Sequence, residues 1–216
     1  MKKVLTILGA RPQFIKAGAV SKAIRDCDAL QEVIVHTGQH FDHNMSALFF
    51  EQMNIPQPNY NIGIHSLSHG AMTGRMLERA EEIMLLEDPD WVMVYGDTNS
   101  TLAGALAAKK IGIPVAHVEA GLRSYNMAMP EEINRILTDR ISNLLFCPSL
   151  AAAENLTKEG FDHFDNKVMV TGDVMYDAYI HFSDLKQKPK KFNIPKEFCL
   201  ATLHRAENTA QASTLN

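Results

Sequence analysis

Short apolar runs alternate with segments of helical periodicity along this chain. The runs cover residues 4–8, 33–36, 92–95, 114–118, 144–147 and 168–170. Continuous apolar runs are typical of parallel strands that are covered on both faces, and parallel strands are joined by crossovers that usually contain a helix. The alternation therefore predicts the α/β class: a doubly wound parallel sheet with helices on both faces.

Helices are predicted between the apolar runs. They cover residues 12–25, 44–53, 68–87, 100–110 and 151–159, and a further helix begins near residue 131. Segment 68–87 places Met72, Met76, Ala80, Ile83 and Met84 at helical spacing, which gives one apolar face. A methionine-rich face of this kind is more typical of core packing than of a cofactor site.

The composition of the chain changes after residue 183. Four lysines are interleaved with prolines there: Lys186, Lys188, Lys190 and Lys191, with Pro189 and Pro195. Such segments are typical of solvated linkers. The next apolar run, 198–203, is predicted to be a strand. We expect a first domain over 1–182, a linker over 183–197 and, over 198–216, the first strand of a second domain whose remainder is absent.

Composition excludes several classes of protein. With 216 residues, of which 46% are hydrophobic, the chain can bury a substantial core. Its net charge is −4 and it has no run of five or six basic residues, so nucleic acid is not an expected partner. The first apolar run is too short for a signal peptide, and no apolar run reaches the roughly 18 residues of a membrane span. We expect a cytoplasmic protein without a membrane segment.

The three cysteines, Cys27, Cys147 and Cys199, have no C-x-x-C spacing. Each lies among or next to apolar residues. We expect all three to be buried, reduced thiols.

Two of the apolar runs end at a carboxylate. Asp97 lies just past run 92–95 and Glu119 just past run 114–118. Ligands of α/β sheets bind beyond the carboxyl ends of the strands, so both acids are predicted to face a site. Asp97 fits a helix N-cap as well as it fits catalysis. Glu119 has no helix to cap, whereas Glu131 follows Pro130, where acids commonly complement a helix dipole.

Other polar residues offer weaker signals. Arg11 follows the first strand at a turn into a helix, where a guanidinium and the helix dipole would favour a phosphate, although a surface arginine fits equally well. Lys16 is expected to be solvated or salt-bridged, and His117 to be a hydrogen-bonded core histidine. A further group, His36, Gln39, His40 and His43, lacks the acid spacing of a zinc site and is interpreted as a polar rim of the crevice.

A set of motifs runs in order along nearly the whole chain. They are GARPQFIK at 9–16, HTGQH at 36–40, YGDTNST at 95–101, HVEAGLR at 117–123, PEEINR at 130–135, TGDV at 171–174 and LHRAEN at 203–208. This combination resembles the non-hydrolysing UDP-N-acetylglucosamine 2-epimerase family. The first two motifs are similar to its branch that epimerises UDP-2,3-diacetamido-2,3-dideoxyglucuronic acid, so two substrates stay open.

The resemblance implies a GT-B-like fold, in which two Rossmann-like domains hold a nucleotide sugar between them. This chain would be the N-terminal half of that fold. A UDP-sugar is the implied substrate, without a cofactor or a metal, and the full-length protein is expected to be a homodimer.

The resemblance also implies roles for particular residues. Catalytic roles would fall to Asp97, Glu119, Glu131 and His204. Substrate binding would fall to Arg11, Lys16, His40, Arg135 and Arg205.

The implied reaction inverts C2 of a UDP-N-acetylhexosamine in the synthesis of cell-surface polysaccharide precursors. UDP would be eliminated across C1–C2 and added back, with the proton delivered to the opposite face. Two alternatives stay open from the sequence: a GT-B-like glycosyltransferase, and a fragment of the epimerase without a competent site. We expect the 216-residue chain alone to show little or no activity.

Overall fold

Seven parallel strands form one open sheet in the computed structural model, which describes residues 1–40, 50, 55–185, 193 and 195–201. The strands are β1 (Lys2–Leu8), β2 (Leu30–His36), β3 (Tyr60–Asn61), β4 (Trp91–Tyr95), β5 (Val115–Val118), β6 (Leu144–Cys147) and β7 (Lys167–Val170). Their order across the sheet is β3-β2-β1-β4-β5-β6-β7. The order reverses direction between β1 and β4, which is the point where doubly wound sheets open a crevice.

Six α-helices accompany the strands in the described residues. They are α1 (Arg11–Arg25), α2 (His69–Glu87), α3 (Asn99–Lys110), α4 (Pro130–Ile141), α5 (Leu150–Lys158) and α6 (Val174–Phe182). Short 3-10 helices follow α5 at Phe161–His163 and α6 at Ser183–Leu185. The predicted alternation of strands and helices is therefore confirmed, except that predicted helix 44–53 lies, apart from residue 50, outside the described residues.

The strands bury side chains on both faces, as their uninterrupted apolar sequences require. On one face, Leu5, Ile7, Val92 and Val94 pack with residues of α2 and α3. On the other face, Leu8 and Tyr95 pack with the buried side of α1. The predicted apolar face of α2 is confirmed, because Met76, Ala80, Ile83 and Met84 are all buried.

Helix α3 lies very close to the sheet because its inner side carries small residues. A Cβ atom on Gly104 would lie 2.8 Å from Ile7 Cγ1, which is closer than packed carbon atoms approach. This packing fixes α3, and with it the turn that precedes α3, against the centre of the sheet.

The chain divides into a compact unit over Met1–Asp184 and a second unit over Leu185–Asn216. In the second unit, the described residues 198–201 contain no strand, and the rest of predicted strand 198–203 lies outside the described residues. An apolar run forms a strand only where a neighbouring strand pairs with it, so the local pattern alone does not secure one. The expected division into 1–182, 183–197 and 198–216 stays a prediction.

The cysteines differ in exposure. Cys147 is buried, and burial raises the pKa of its thiol to about 11. Cys27 is half-buried and Cys199 is exposed, so the expectation of three buried thiols is wrong for Cys199, which is in a described stretch without regular structure. Within the described ranges, none of the helices is long and apolar enough to cross a membrane.

Candidate active site

Asp97 and Glu119 lie at the carboxyl ends of adjacent strands. Asp97 follows β4 by two residues, and Glu119 comes directly after β5. β4 and β5 pair in register from Val92 with Val115 to Tyr95 with Val118. The turns that carry the two acids therefore begin side by side at the edge of the sheet where ligands bind in α/β folds.

The carboxylate of Asp97 forms a salt bridge with the guanidinium of Arg135 from α4. The interpretation of Asp97 as an N-cap is wrong, because Thr98 caps α3 by accepting a hydrogen bond from the backbone N–H of Thr101 at 3.3 Å. The side chain of Asn134 donates to the backbone oxygen of Asp97 at 2.9 Å. Helix α4 thus holds Asp97 through both its backbone and its carboxylate.

The carboxylate of Glu119 pairs with the ammonium group of Lys16 from α1. The side chain of Lys16 is only 7% exposed and that of Glu119 is 21% exposed. The expectation of a salt-bridged Lys16 is confirmed, whereas a solvated Lys16 is not what the structure shows. Lys16 is on the side of α1 that packs on the sheet. Burial of its charge would be strongly unfavourable without a partner of opposite charge.

The Lys16–Glu119 pair lies against the turn that carries Asp97. A Cβ atom on Gly96 would lie 3.1 Å from Glu119 Oε2 and 3.2 Å from Lys16 Nζ. Gly96 has a φ of 62° and Glu119 a φ of 73°, which is unusual for a residue with a side chain. Left-handed backbone at a non-glycine residue is a strained conformation that concentrates at functional sites.

Glu131 is exposed in the first turn of α4. Among the described residues it has no hydrogen bond or salt bridge to Asp97 or Glu119. Its neighbour Glu132 is buried instead and accepts hydrogen bonds from the backbone N–H groups of Ser124 at 3.0 Å and Tyr125 at 2.8 Å. Burial opposes ionisation of Glu132, but these hydrogen bonds outweigh it and lower its pKa.

Arg11 and His40 meet at the carboxyl end of β1. The side chain of Arg11 is exposed at the start of α1, and its backbone N–H donates to His40 Nδ1 at 3.0 Å. Burial, and then the positive charge of Arg11, lower the pKa of His40. His40 is therefore predominantly a neutral imidazole at neutral pH.

The expected polar rim of histidines is only partly present. Gln39 and His40 are half-buried, but His36 belongs to the core, where its ring stacks on Phe14 with 5.3 Å between ring centroids. Burial lowers the pKa of His36. His43 lies outside the described residues. In the part of the chain that the structure describes, no group of histidine, cysteine and acidic residues could hold a metal ion.

Two of the predicted site residues, His204 and Arg205, lie outside the described residues. The other candidates divide into groups. Lys16 with Glu119, and Asp97 with Arg135, form two ion pairs at adjacent strand ends. Arg11 with His40 lies at the end of β1, and Glu131 stands apart from both pairs in the described contacts.

A cavity of about 250 Å³ opens beside Glu119. Its walls are largely apolar and include Val20, Val118, Phe146 and Val174, together with the carboxylates of Asp173 and Asp177. The carboxylate of Glu119 therefore borders space that can receive part of a small ligand.

Sequence reasoning missed two buried residues that shape this edge of the sheet. The side-chain amide of Gln13 donates to the backbone oxygen of Tyr95 at 2.9 Å, and its oxygen accepts from the backbone N–H of Gly9 at 2.8 Å. Asp139 accepts a hydrogen bond from His117, which confirms the prediction of a hydrogen-bonded core histidine. A polar residue on the apolar side of a predicted helix is the signal that could have identified both.

These features define a class of protein: a Rossmann-like α/β domain with ion-paired carboxylates beyond the carboxyl ends of its parallel strands. Residues 22–216 match the family model described as UDP-N-acetylglucosamine 2-epimerase. The chain belongs to this family.

Similar proteins agree with this assignment. The chain is 59% identical over 207 residues to the UDP-2,3-diacetamido-2,3-dideoxy-D-glucuronate 2-epimerase of Pseudomonas aeruginosa, covering 96% of this chain and 58% of the relative. It is also similar to the UDP-GlcNAc 2-epimerase of Methanocaldococcus jannaschii in its crystal structure with UDP-GlcNAc and UDP. That match has a TM-score of 0.89 and 46% identity, and it covers 97% of this chain and 58% of the other.

The structural match confirms the predicted fold class, an open parallel α/β sheet of the kind found in GT-B-like epimerases. The chain spans somewhat more than half the length of the curated relatives that it matches.

Proposed function

We propose that this chain supplies the first domain of an enzyme that epimerises C2 of a UDP-N-acetylamino sugar. The observation that supports this most is the pair of carboxylates, Asp97 and Glu119, that two helices hold with Arg135 and Lys16 at adjacent strand ends. In the M. jannaschii relative, which is 46% identical, the crystal contains UDP-GlcNAc and UDP.

The chemistry explains why carboxylates would be needed. The hydrogen on C2 of such a sugar is not next to a carbonyl group, so direct removal of the proton would produce an unstabilised carbanion. Elimination avoids this problem: a base removes the C2 proton, the C–H electron pair forms the C1=C2 bond, and the C1–O bond breaks to release UDP. Addition of UDP to C1 with protonation of C2 on the opposite face completes the inversion.

Protonation on two faces requires acid and base groups around one carbon. We assign this proton transfer to Asp97, Glu119 and Glu131, and a contact to the substrate or its leaving diphosphate to His204. A positioned general acid or base typically contributes on the order of 10² to 10⁴ in rate. The salt bridges to Arg135 and Lys16 fix the positions of the Asp97 and Glu119 carboxylates.

The leaving UDP carries negative charge. We assign stabilisation of that charge to Arg11, whose guanidinium is exposed at the N-terminus of α1, where the helix dipole also favours an anion. The remaining predicted contacts to the substrate are Lys16, His40, Arg135 and Arg205. We expect the full-length enzyme to be a cytoplasmic homodimer that needs no cofactor.

Proton NMR in deuterium oxide tests this function. The full-length protein is mixed in turn with UDP-GlcNAc and with UDP-2,3-diacetamido-2,3-dideoxyglucuronic acid, the two substrates that its relatives' names suggest. We expect a C2 epimer to form from one of them, with deuterium incorporated at C2. Transfer of the sugar to an acceptor without C2 exchange would instead identify a glycosyltransferase.

Glu119→Gln is the matching variant, and we expect it to abolish both epimerisation and C2 exchange with the fold intact. Glu87→Gln is the control, because Glu87 also pairs with a lysine, Lys3, and its side chain is also 21% exposed, but it lies at the opposite end of the sheet. Glu87→Gln should turn over like the wild type. Wild-type turnover by Glu119→Gln would contradict the proposal.

A further inference from the structure

One buried carboxylate is linked to both of the turns that carry Asp97 and Glu119, directly to one and through a histidine to the other. The side chain of Asp139 in α4 is completely buried. Its Oδ1 atom accepts a hydrogen bond from His117 Nδ1 at 2.7 Å. Its Oδ2 atom accepts from the backbone N–H of Gly121 at 3.1 Å and from the guanidinium of Arg123 at 2.7 Å. Asp139 is thus tied directly to the turn that follows Glu119.

His117 extends this connection to the other turn. Its second ring nitrogen, Nε2, donates to the backbone oxygen of Gly96 at 2.7 Å, and Gly96 immediately precedes Asp97. A single buried chain of hydrogen bonds therefore runs from the turn of Asp97 through His117 and Asp139 to the turn of Glu119.

Both partners of the His117 ring are acceptors. A backbone carbonyl can only accept, and Asp139 is a carboxylate: burial opposes its ionisation, but the hydrogen bond and charge of His117 and the charge of Arg123 lower its pKa. The ring of His117 is therefore held between the carboxylate of Asp139 and the backbone carbonyl of Gly96, with one nitrogen directed at each.

The backbone at both turns needs such support. Gly96 and Gly121 have φ values of 62° and 78°, and Glu119 has a φ of 73° despite its side chain. A Cβ atom on Gly121 would lie 2.4 Å from the backbone oxygen of Ala152, so this turn is also packed tightly against α5. Strained turns persist only where surrounding contacts determine them.

We propose that Asp139 and His117 are positioning residues that set the separation and orientation of the Asp97 and Glu119 carboxylates. This inference rests on the proposed function of those two acids. Asp139 and His117 are both buried and touch no part of the cavity beside Glu119, so they act through the two turns rather than on the substrate.

The first test does not depend on catalysis. Long-range proton–nitrogen NMR of the 216-residue chain reports which ring nitrogens of each histidine carry a proton, and His117→Gln identifies the His117 signals. We expect Nε2 of His117 to carry a proton, because the backbone oxygen of Gly96 can only accept. An unprotonated Nε2 would overturn the hydrogen bond that links His117 to the turn of Asp97.

Amide hydrogen exchange then tests the coupling between the turns. In the wild type, the N–H of Gly96 donates to the backbone oxygen of Val118 at 2.9 Å and that of Gly121 donates to Asp139. Asp139→Asn should accelerate exchange at both. Glu159→Gln is the matched control, because Glu159 also pairs with Arg123 but contacts neither turn. Acceleration at Gly121 alone, or equal acceleration in both variants, would overturn the coupling.

Kinetics of the full-length enzyme separate positioning from a general loss of structure. For Asp139→Asn we expect kcat for C2 exchange to fall by about 10²-fold, the typical effect of displacing a catalytic group by about 1 Å. KM should stay within roughly threefold, and Glu159→Gln should keep both constants within roughly threefold. An Asp139→Asn enzyme with the kcat of the wild type would overturn the proposal.

A second pair of variants covers the case in which Asp139→Asn does not fold. Gln at position 117 can still donate to the Gly96 carbonyl, whereas Ala cannot, so His117→Gln should keep more of kcat than His117→Ala. Equal kcat in these two would overturn the role of His117. If the wild type itself shows no C2 exchange, the proposed function fails, and the NMR and hydrogen-exchange results still decide whether the pair couples the turns.

Discussion

Asp139 and Glu32 carry carboxyl groups on opposite faces of the same sheet, and their surroundings differ sharply: Asp139 is completely buried and Glu32 is half-buried. Asp139 accepts from His117, Gly121 and Arg123, and the guanidinium of Arg123 is a positive charge among these partners. Glu32 accepts one hydrogen bond, from Thr6 at 2.6 Å, and its other oxygen is shielded from solvent without a partner among the described residues.

The pKa values of the two groups shift in opposite directions. Burial opposes the charge of Asp139, but its partners overcome that effect and lower its pKa. Burial dominates at Glu32 and raises its pKa, because the neighbouring hydroxyls of Thr6 and Ser21 and the charge of Arg25 offset only part of the lost hydration. The same type of side chain therefore connects several parts of the structure at Asp139, whereas at Glu32 the loss of hydration is only partly compensated.

Removing the charge of Asp139 should have the largest effect. Asp139→Asn leaves Arg123 and His117 buried without their anion, and we expect a loss of about 3–5 kcal/mol in the free energy of unfolding. Glu159→Gln, which leaves Asp139 in place beside Arg123, should cost about 1 kcal/mol or less because Glu159 is partly exposed. Urea unfolding of the three proteins measures both values, and equal losses would contradict the special role of Asp139.

Gly121 lies in the turn that Asp139 contacts, so a substitution at Gly121 perturbs the backbone of that turn. Gly121→Ala should lower the free energy of unfolding by about 2–4 kcal/mol, because it adds left-handed strain and a clash with the backbone of α5. Gly112→Ala is the control: its φ is 81°, similar to the 78° of Gly121, but a Cβ atom there would meet no atom within 4 Å. Gly112→Ala should lower the free energy of unfolding by about 1–2 kcal/mol. Thermal unfolding that ranks the two variants equally would argue against tight packing at Gly121.

The pH dependence of stability should separate the two carboxyl groups. The pKa of Asp139 is lower in the folded protein than its ordinary value of 3.8, so its contribution is complete above pH 3.8 and is lost as the pH falls through the lower, folded value. The pKa of Glu32 is raised above 4.5, so its contribution is complete below pH 4.5 and is lost as the pH rises through the folded value. Unfolding curves from pH 2 to pH 8 for the wild type and Glu32→Gln check the signs.

The smallest effect is expected from Glu32→Gln. Above its folded pKa the wild-type carboxylate is half-buried without an ion pair among the described residues, so a neutral amide of similar shape should raise the free energy of unfolding there by about 1 kcal/mol. The gain should disappear near pH 4, where Glu32 is already protonated. A loss of stability at pH 8 would show that Glu32 has a stabilising partner.

The order of strands and helices followed from the sequence because it depends on local patterns. Uninterrupted apolar runs identified β1, β4, β5 and β6, and the spacing of methionines identified the buried side of α2. The positions of Asp97 and Glu119 at strand ends followed from the same patterns. The motifs indicated the protein family, and the matching family model and the similar proteins confirm it.

Which side chains meet could not be predicted, because those contacts join residues that are distant along the chain. Lys16 and Glu119 are 103 residues apart, and Arg135 and Asp97 are 38 apart. Local spacing also left a helix cap and a catalytic role equally open for Asp97, whereas the neighbouring Thr98 takes the cap position. The residue type at one position does not show which distant side chain it contacts or which of two neighbouring residues caps a helix.

The sequence by itself determined the fold class, the edge of the sheet that carries the candidate site, and the positions of Asp97 and Glu119 at that edge. Only the tertiary structure decided that Lys16 is buried against Glu119, that Glu131 stands apart, and that Asp139 and His117 join the two acid-bearing turns. The physical reason is that strand and helix patterns reflect burial along short segments, whereas a buried charge is stable only where packing brings its partner from another part of the chain.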